Sequence, residues 1–223
     1  MLSLLLLSLV PAQAAPVNPW TGPVGEGVFA LTPFLYVDQT PLFYPLVYGQ
    51  YGFTDSFDVI VGAAATVGSA NSFDGVEVMP RYFFTDTLGL AVHATIVPNG
   101  GTTIAPELHF YNDWDALSLT INAGYGPTFV SGATLTGSAY AMIAPETYLT
   151  EHTSLFLELN PSYDLNDYGG AEVDRFYMEV VPGVGTGIND THWFAVGVHV
   201  PVTGFTADGI YLGGWYSIAF GGE

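Results

Sequence analysis

Apolar and polar residues alternate with a period of two along much of this chain. Leu117, Leu119 and Ile121 alternate with Ser118, Thr120 and Asn122. Leu155, Leu157 and Leu159 alternate with Phe156, Glu158 and Asn160. Leu88, Leu90, Val92, Ala94 and Ile96 alternate with Gly89, Ala91, His93 and Thr95. Successive side chains of a strand point to opposite faces, so each segment predicts a strand with one apolar and one mixed face. A short turn signal recurs between such segments. Phe53-Thr54-Asp55 returns as Phe84-Thr85-Asp86, Tyr111-Asn112-Asp113, Leu149-Thr150-Glu151 and Ile188-Asn189-Asp190. The copies lie roughly 27 to 40 residues apart, about two strands and a far-side connection. A chain that turns at one end after every second strand is an up-and-down meander.

Twelve strands fit between the turns, near residues 27–38, 42–53, 57–67, 75–84, 88–97, 103–111, 116–127, 134–149, 154–163, 174–188, 193–202 and 209–220. The other end is joined at Asp38–Pro41, Gly68–Asp74, Pro98–Thr102, Ser131–Ala133, Asn166–Val173 and Thr203–Asp208, which are short outer loops. Ten or fourteen strands are the alternatives. Met79-Pro80-Arg81, Ala105-Pro106-Glu107, Ala144-Pro145-Glu146 and Asn160-Pro161-Ser162 put proline inside predicted strands. Proline lacks a ladder donor, so these predict local bulges that bend the wall.

Composition decides the solvent. Charged residues make up 10% of the chain and aromatics 15%. A soluble domain carries about 25% charge and could not cover its surface with so little. After the N-terminus no apolar run approaches the length of a membrane-spanning helix, about 18 residues. Half-apolar strands in such a chain predict an all-β fold: a transmembrane, antiparallel β-barrel, whose closure satisfies every backbone group in hydrocarbon. A soluble β-barrel with an apolar ligand is the weaker alternative. Tyr51, Phe53, Tyr82, Phe84, Phe110, Tyr111, Tyr148, Trp193 and Tyr211 near strand ends suit an interfacial girdle.

Leu2 to Val10 is a short apolar run, and Ala12-Gln13-Ala14 is a small-residue cleavage pattern. Residues 1–14 are therefore read as a signal peptide, 15–26 as a Pro/Gly-rich lead-in, and 27–223 as the barrel. Export and a barrel together imply the outer membrane of a Gram-negative-type bacterium, with outer-membrane lipid as the surrounding partner.

Parity places the mid-strand polar residues on one face. Glu77, Arg81, His93, Glu107, His109, Tyr140, Glu146, Glu158, Asn160, Arg175, Glu179 and His199 are predicted to line the lumen. An arginine on the lipid face at the midplane costs about 2–4 kcal/mol, so a common parity is itself evidence for a barrel. Two readings follow. In one, Glu77, Glu107, Glu146, Glu158 and Glu179 form a net-acidic ring that favours cations or small polar solutes. In the other, Arg81 and Arg175 pair with neighbouring Glu and hold an occluded, structural or surface-interaction barrel together.

Charge and motif exclude other functions. There are two Arg and no Lys against 21 acids, a formal charge of −19, so nucleic acid is no partner. There is no Cys. No Gly-x-Ser-x-Gly elbow, His–Ser pair, metal-ligand spacing or phosphate loop occurs, so neither enzyme, metal nor cofactor is expected.

Leu212, Tyr216, Ile218 and Phe220 share one face of the last predicted strand. An apolar, aromatic-ended final strand resembles the signal of bacterial outer-membrane β-barrels, here followed by Gly221-Gly222-Glu223. The resemblance extends over the mature length and implies recognition by the barrel-assembly machinery. Tyr51 to Phe57 also resembles periplasmic turns of outer-membrane transporters grouped with phenol-degradation pathways. That likeness implies uptake of small organic solutes and assigns no residue.

Overall fold

The computed structural model describes residues 26–36, 42–68, 71–98, 101–129, 136–165, 175–189, 191–203 and 209–220. The signal peptide, all but the last residue of the lead-in, most of the outer-loop residues and the final three residues lie outside them. Twelve strands form: β1 Gly27–Tyr36, β2 Leu42–Thr54, β3 Phe57–Thr66, β4 Ser72–Phe83, β5 Leu88–Val97 and β6 Gly101–Trp114, then β7 Leu117–Phe129, β8 Thr136–Thr150, β9 Thr153–Asp164, β10 Phe176–Asn189, β11 His192–Thr203 and β12 Tyr211–Phe220. Every strand pairs antiparallel with its sequence neighbours, and β1 closes on β12 from Gly27↔Phe220 to Tyr36↔Tyr211. The result is a closed barrel with both its ends at one rim. Closure leaves no strand edge to face hydrocarbon.

The recurrent turn has a local cause. Thr54 Oγ1 accepts from Ser56 N at 3.3 Å, Thr85 Oγ1 from Leu88 N at 3.0 Å, and Thr150 Oγ1 from His152 N at 3.2 Å. Asn189 Oδ1 does the same for Thr191 N at 3.0 Å and His192 N at 2.9 Å. The Thr or Asn of each copy thus caps the backbone of its own turn. The Asn112 copy differs: β6 runs on to Trp114, and the chain reverses at Asp115, whose φ of 54° lies in the left-handed region. Aspartate tolerates that conformation better than most residues.

The faces follow parity. Leu90, Val92, Ile96, Leu108, Leu155 and Leu212 are exposed on the outside, whereas Ala91, His93, Ser118, Thr120, Phe156 and Glu158 are buried within. Tyr51 and Phe53, and likewise Tyr82 and Phe84, make edge-to-face pairs on the outer surface near the rim with the strand termini. Four residues assigned to that girdle turn inward instead: Tyr111 opposite buried Thr120, Tyr148 opposite buried Ser154, Trp193, which packs against the interior core, and Tyr211, which donates to Glu179. The prolines do not shift the register. Val78↔Ala94 and Arg81↔Ala91 flank Pro80 in one register, and Ile143↔Leu159 and Glu146↔Phe156 flank Pro145 in another. Register shifts fall elsewhere, as between Ala64 and Ala65. Proline here removes a donor without inserting a residue.

Inward glycines open space for large neighbours. A methyl group on Gly183 would enter the ring of Phe156, its partner across the β9–β10 ladder. One on Gly197 would come within 2.8 Å of both Trp215 and Val181. Phe34, Leu46, Phe156, Val181, Ala195 and Trp215 form a packed cluster inside the wall of β1, β2 and β9–β12. We expect Gly183→Val to destabilise the folded barrel by about 1–3 kcal/mol through overpacking. The check is a denaturant series followed by the gel shift between folded and heat-unfolded forms. Phe156→Ala in the same chain should recover part of the loss.

Candidate functional site: the polar interior

The mid-height acids and Arg81 all point into the barrel and fall into linked groups. The first joins β2, β3 and β4. Arg81 lies opposite Asp58 in the ladder. Its Nε donates to Asp58 Oδ1 at 2.8 Å and its Nη2 to Oδ2 at 2.5 Å. Gln50 Nε2 donates to the same Oδ2 at 2.7 Å, and Arg81 also stands over the Phe83 ring. Arg81 and Asp58 are 1% and 0% exposed, so this is a two-pronged ion pair sealed from water.

The second group joins β4, β5, β6 and β8. His93 Nε2 lies 2.7 Å from Glu77 Oε2, and its Nδ1 lies 3.1 Å from Glu107 Oε1. Both nitrogens face carboxylate oxygens, an arrangement that suits a doubly protonated ring. Glu107 Oε2 lies 3.0 Å from His109 Nε2. Tyr140 donates its hydroxyl to Glu107 Oε1 across the intervening β7. Gly124 makes that reach possible, because it stands between Glu107 and Tyr140 in the ladder. A Cβ there would sit 2.7 Å from the Tyr140 hydroxyl and 2.8 Å from Glu107 Cγ. The device recurs two hairpins earlier. Gly62 stands between Tyr48 and Glu77, and its Cβ would lie 2.7 Å and 2.6 Å from them.

The third group joins β9 to β12 around Glu179. His199 Nδ1 lies 2.9 Å from Glu179 Oε1, and Tyr211 donates to Oε2 at 2.6 Å. Tyr177 donates to Oε2 at 3.1 Å and Asn160 Nδ2 to Oε1 at 3.3 Å. The His199 ring stacks on Tyr211 with centroids 4.2 Å apart. Glu158 is buried on β9 beside this group, and Glu146 is half-buried on β8.

Two parts of the sequence reading need correction. Arg81 pairs with Asp58, a residue absent from the predicted lumen set. The alternation of β3 is blurred because both faces are apolar or small, yet Asp58 shares the parity of buried Ile60. Arg175 is exposed just before β10, at the rim opposite the strand termini, and its backbone carbonyl accepts from Asp164 N at 2.7 Å. It is placed outside the interior because β10 starts at Phe176.

An apolar outer band, paired edges and a polar interior define this chain as a transmembrane β-barrel of the bacterial outer-membrane type. No family model matches the chain, and no curated protein matches it. Solved structures do. An outer-membrane channel from Pseudomonas putida F1 superposes with a TM-score of 0.67 at 12% identity, covering 93% of this chain and 100% of that one. The NanC porin gives a TM-score of 0.67 at 12% identity over 86% and 99% of the two chains. The KdgM porin gives 0.55 at 13% identity over 87% and 99%. At these identities the likeness is one of fold.

Removing one partner of a buried ion pair strands the other's charge, at about 3–5 kcal/mol. Arg81→Ala should therefore cost about that much, while Arg175→Ala should stay within about 0.5 kcal/mol of the parent. Equilibrium unfolding of the two variants in detergent or lipid checks the contrast.

Proposed function

We propose that this chain is an outer-membrane channel or transporter for small polar solutes, cations in preference, with a narrow, net-acidic lumen. The observation that carries the reading is the imbalance of charge inside. Asp58, Glu77, Glu107, Glu146, Glu158 and Glu179 point inward against Arg81 and three histidines. A wall needing only cohesion gains little from buried ion pairs over apolar packing, and nothing from surplus acid. Surplus carboxylates do raise the local concentration of cations and discourage anions. The fold shared with a channel and two porins supports the same reading. The lumen residues in this proposal are Glu77, Arg81, His93, Glu107, His109, Tyr140, Glu146, Glu158, Asn160, Glu179 and His199, joined by Asp58. The partners are lipid outside and small solutes within, and the barrel-assembly machinery engages β12.

A second reading has its own support. Phe34, Val181, His199, Glu158 and Arg81 are at most 2% exposed, and an aromatic cluster fills one side of the barrel. Such packing favours an occluded barrel whose interior serves the wall alone. Glu77, Tyr140, Glu146 and Asn160 keep partial exposure, which suits the flank of a passage in the channel reading.

Conductance of the purified mature protein in planar bilayers under a salt gradient decides between the two. Channels with a cation-selective reversal potential are expected, with selectivity fading as the screening length falls from about 10 Å at 0.1 M salt to about 3 Å at 1 M. Insertion with a heat-modifiable gel shift and no current would establish the occluded barrel. Glu146→Gln should lower cation selectivity with little effect on folding. The Glu107→Gln, Glu146→Gln pair should lower it further, but Glu107 holds two histidines and a tyrosine, so its folding has to be measured beside its selectivity. Unchanged reversal potentials in folded double-variant channels would remove the acidic-lumen reading.

A further inference from the structure

We propose that Glu158 anchors a binding site for a small, desolvated monovalent cation on the inward face of β9, an inference that rests on reading the barrel as a passage for cations. Glu158 is 1% exposed, and neither carboxyl oxygen accepts a hydrogen bond. Asn160, its neighbour on the same face, turns its amide nitrogen to Glu179 and leaves Oδ1 buried without a donor. One short stretch of strand thus presents three unmatched acceptor oxygens: both Glu158 oxygens and Asn160 Oδ1.

The cations of the interior are already engaged. Arg81 is bound to Asp58, His93 lies between Glu77 and Glu107, His109 meets Glu107, and His199 meets Glu179. The charged groups on the strands packed against β9 are Glu146 on β8 and Glu179 on β10, both acids. A buried carboxylate with neither a cation nor a donor is strongly disfavoured, so Glu158 either holds a proton or meets a cation from outside the chain, and the surrounding acceptor oxygens favour the cation. Oxygen-only ligands suit hard ions and ammonium groups. Glu179 is matched by His199 and Tyr211, so Glu158 contributes one uncompensated charge, and one positive charge balances it. No group of three His, Cys, Asp or Glu suited to a metal ion occurs among the described residues, which argues against a zinc-like centre. The shared chemistry is a single compact positive charge, either an alkali metal ion or the head of a primary amine.

The test follows thermal unfolding of the purified barrel by heat-dependent gel shift. It uses potassium chloride, methylammonium chloride and N-methyl-D-glucamine chloride at equal ionic strength. We expect a higher midpoint with potassium or methylammonium than with the bulky cation, because a ligand that binds only the folded form stabilises it. Potassium alone would identify a metal-ion site, and methylammonium alone an amine site. Glu158→Gln should raise the apparent dissociation constant about tenfold or more. Asn160→Ala, which keeps the carboxylate, should weaken binding less, and it decides the matter if the glutamine variant does not fold.

Equal wild-type midpoints in all three salts would overturn the site. So would an infrared carboxylic-acid band that persists in potassium chloride and vanishes in Glu158→Gln, since Glu158 would then hold a proton. Unchanged affinity in folded Asn160→Ala, where the glutamine variant does not fold, would overturn it as well. Bilayer recordings on the same preparation separate this from the channel reading. Cation-dependent midpoints without current keep the site and remove the channel. Cation-selective current with midpoints indifferent to the salt keeps the channel and removes the site.

Discussion

Everything in this structure depends on one constraint: in hydrocarbon, no backbone N–H or C=O can be left without a partner. A helix meets the constraint locally, and this chain has no segment for it after the N-terminus. Its strands can meet it only collectively, by closing β1 onto β12. Once the ring is closed, each strand has a lipid side and an inner side, and every residue's environment is set by whether its number is odd or even within that strand. A slip of one residue in any ladder would send the inner carboxylates into lipid. The hydrogen-bonded register and the charge distribution are therefore the same fact seen twice.

That coupling explains what the glycines do. A strand interior normally disfavours glycine, which packs nothing and costs backbone entropy. Here Gly62 and Gly124 let a tyrosine of one strand approach a glutamate two strands away. Gly183 and Gly197 together let Phe156 of β9 meet Trp215 of β12, with ring centroids 5.4 Å apart. Large side chains thus reach over small ones across spans of three or four strands. These spans carry large side chains into a twelve-stranded wall, wider than the eight-stranded barrels that side chains fill.

The strand count, the turn positions and the inner face were legible because they need only period two and local turn chemistry. Thr54, Thr85, Thr150 and Asn189 cap their own turns, so sequence alone carries that information. Partner choice was not legible. Arg81 meets Asp58 through the β3–β4 register, and β3 shows no alternation sharp enough to expose Asp58 as an inward residue. The Asn112 copy of the turn misled because the reversal waits for Asp115, where a left-handed backbone is held by the tertiary ladder β6–β7 rather than by a side-chain cap. Arg175 shares parity with Glu179 but lies one residue before β10 begins, and parity says nothing outside the ladder. The tyrosine–glycine–glutamate spans were hidden for a related reason: each is assembled from three strands.

The interior acids differ in how far the chain itself answers them. Asp58 has a guanidinium and an amide, and Glu107 and Glu179 have imidazoles and tyrosine hydroxyls. Those groups fix geometry and tie neighbouring strands, as a cohesive wall requires. Glu158 has no such answer, although it is as deeply buried as the others. Val181, the residue opposite it in the ladder, is apolar and fully buried. In the proposed cation site, what balances Glu158 is what enters the barrel. That makes the unmatched carboxylate, rather than the matched ones, the part of the interior that speaks most directly to function.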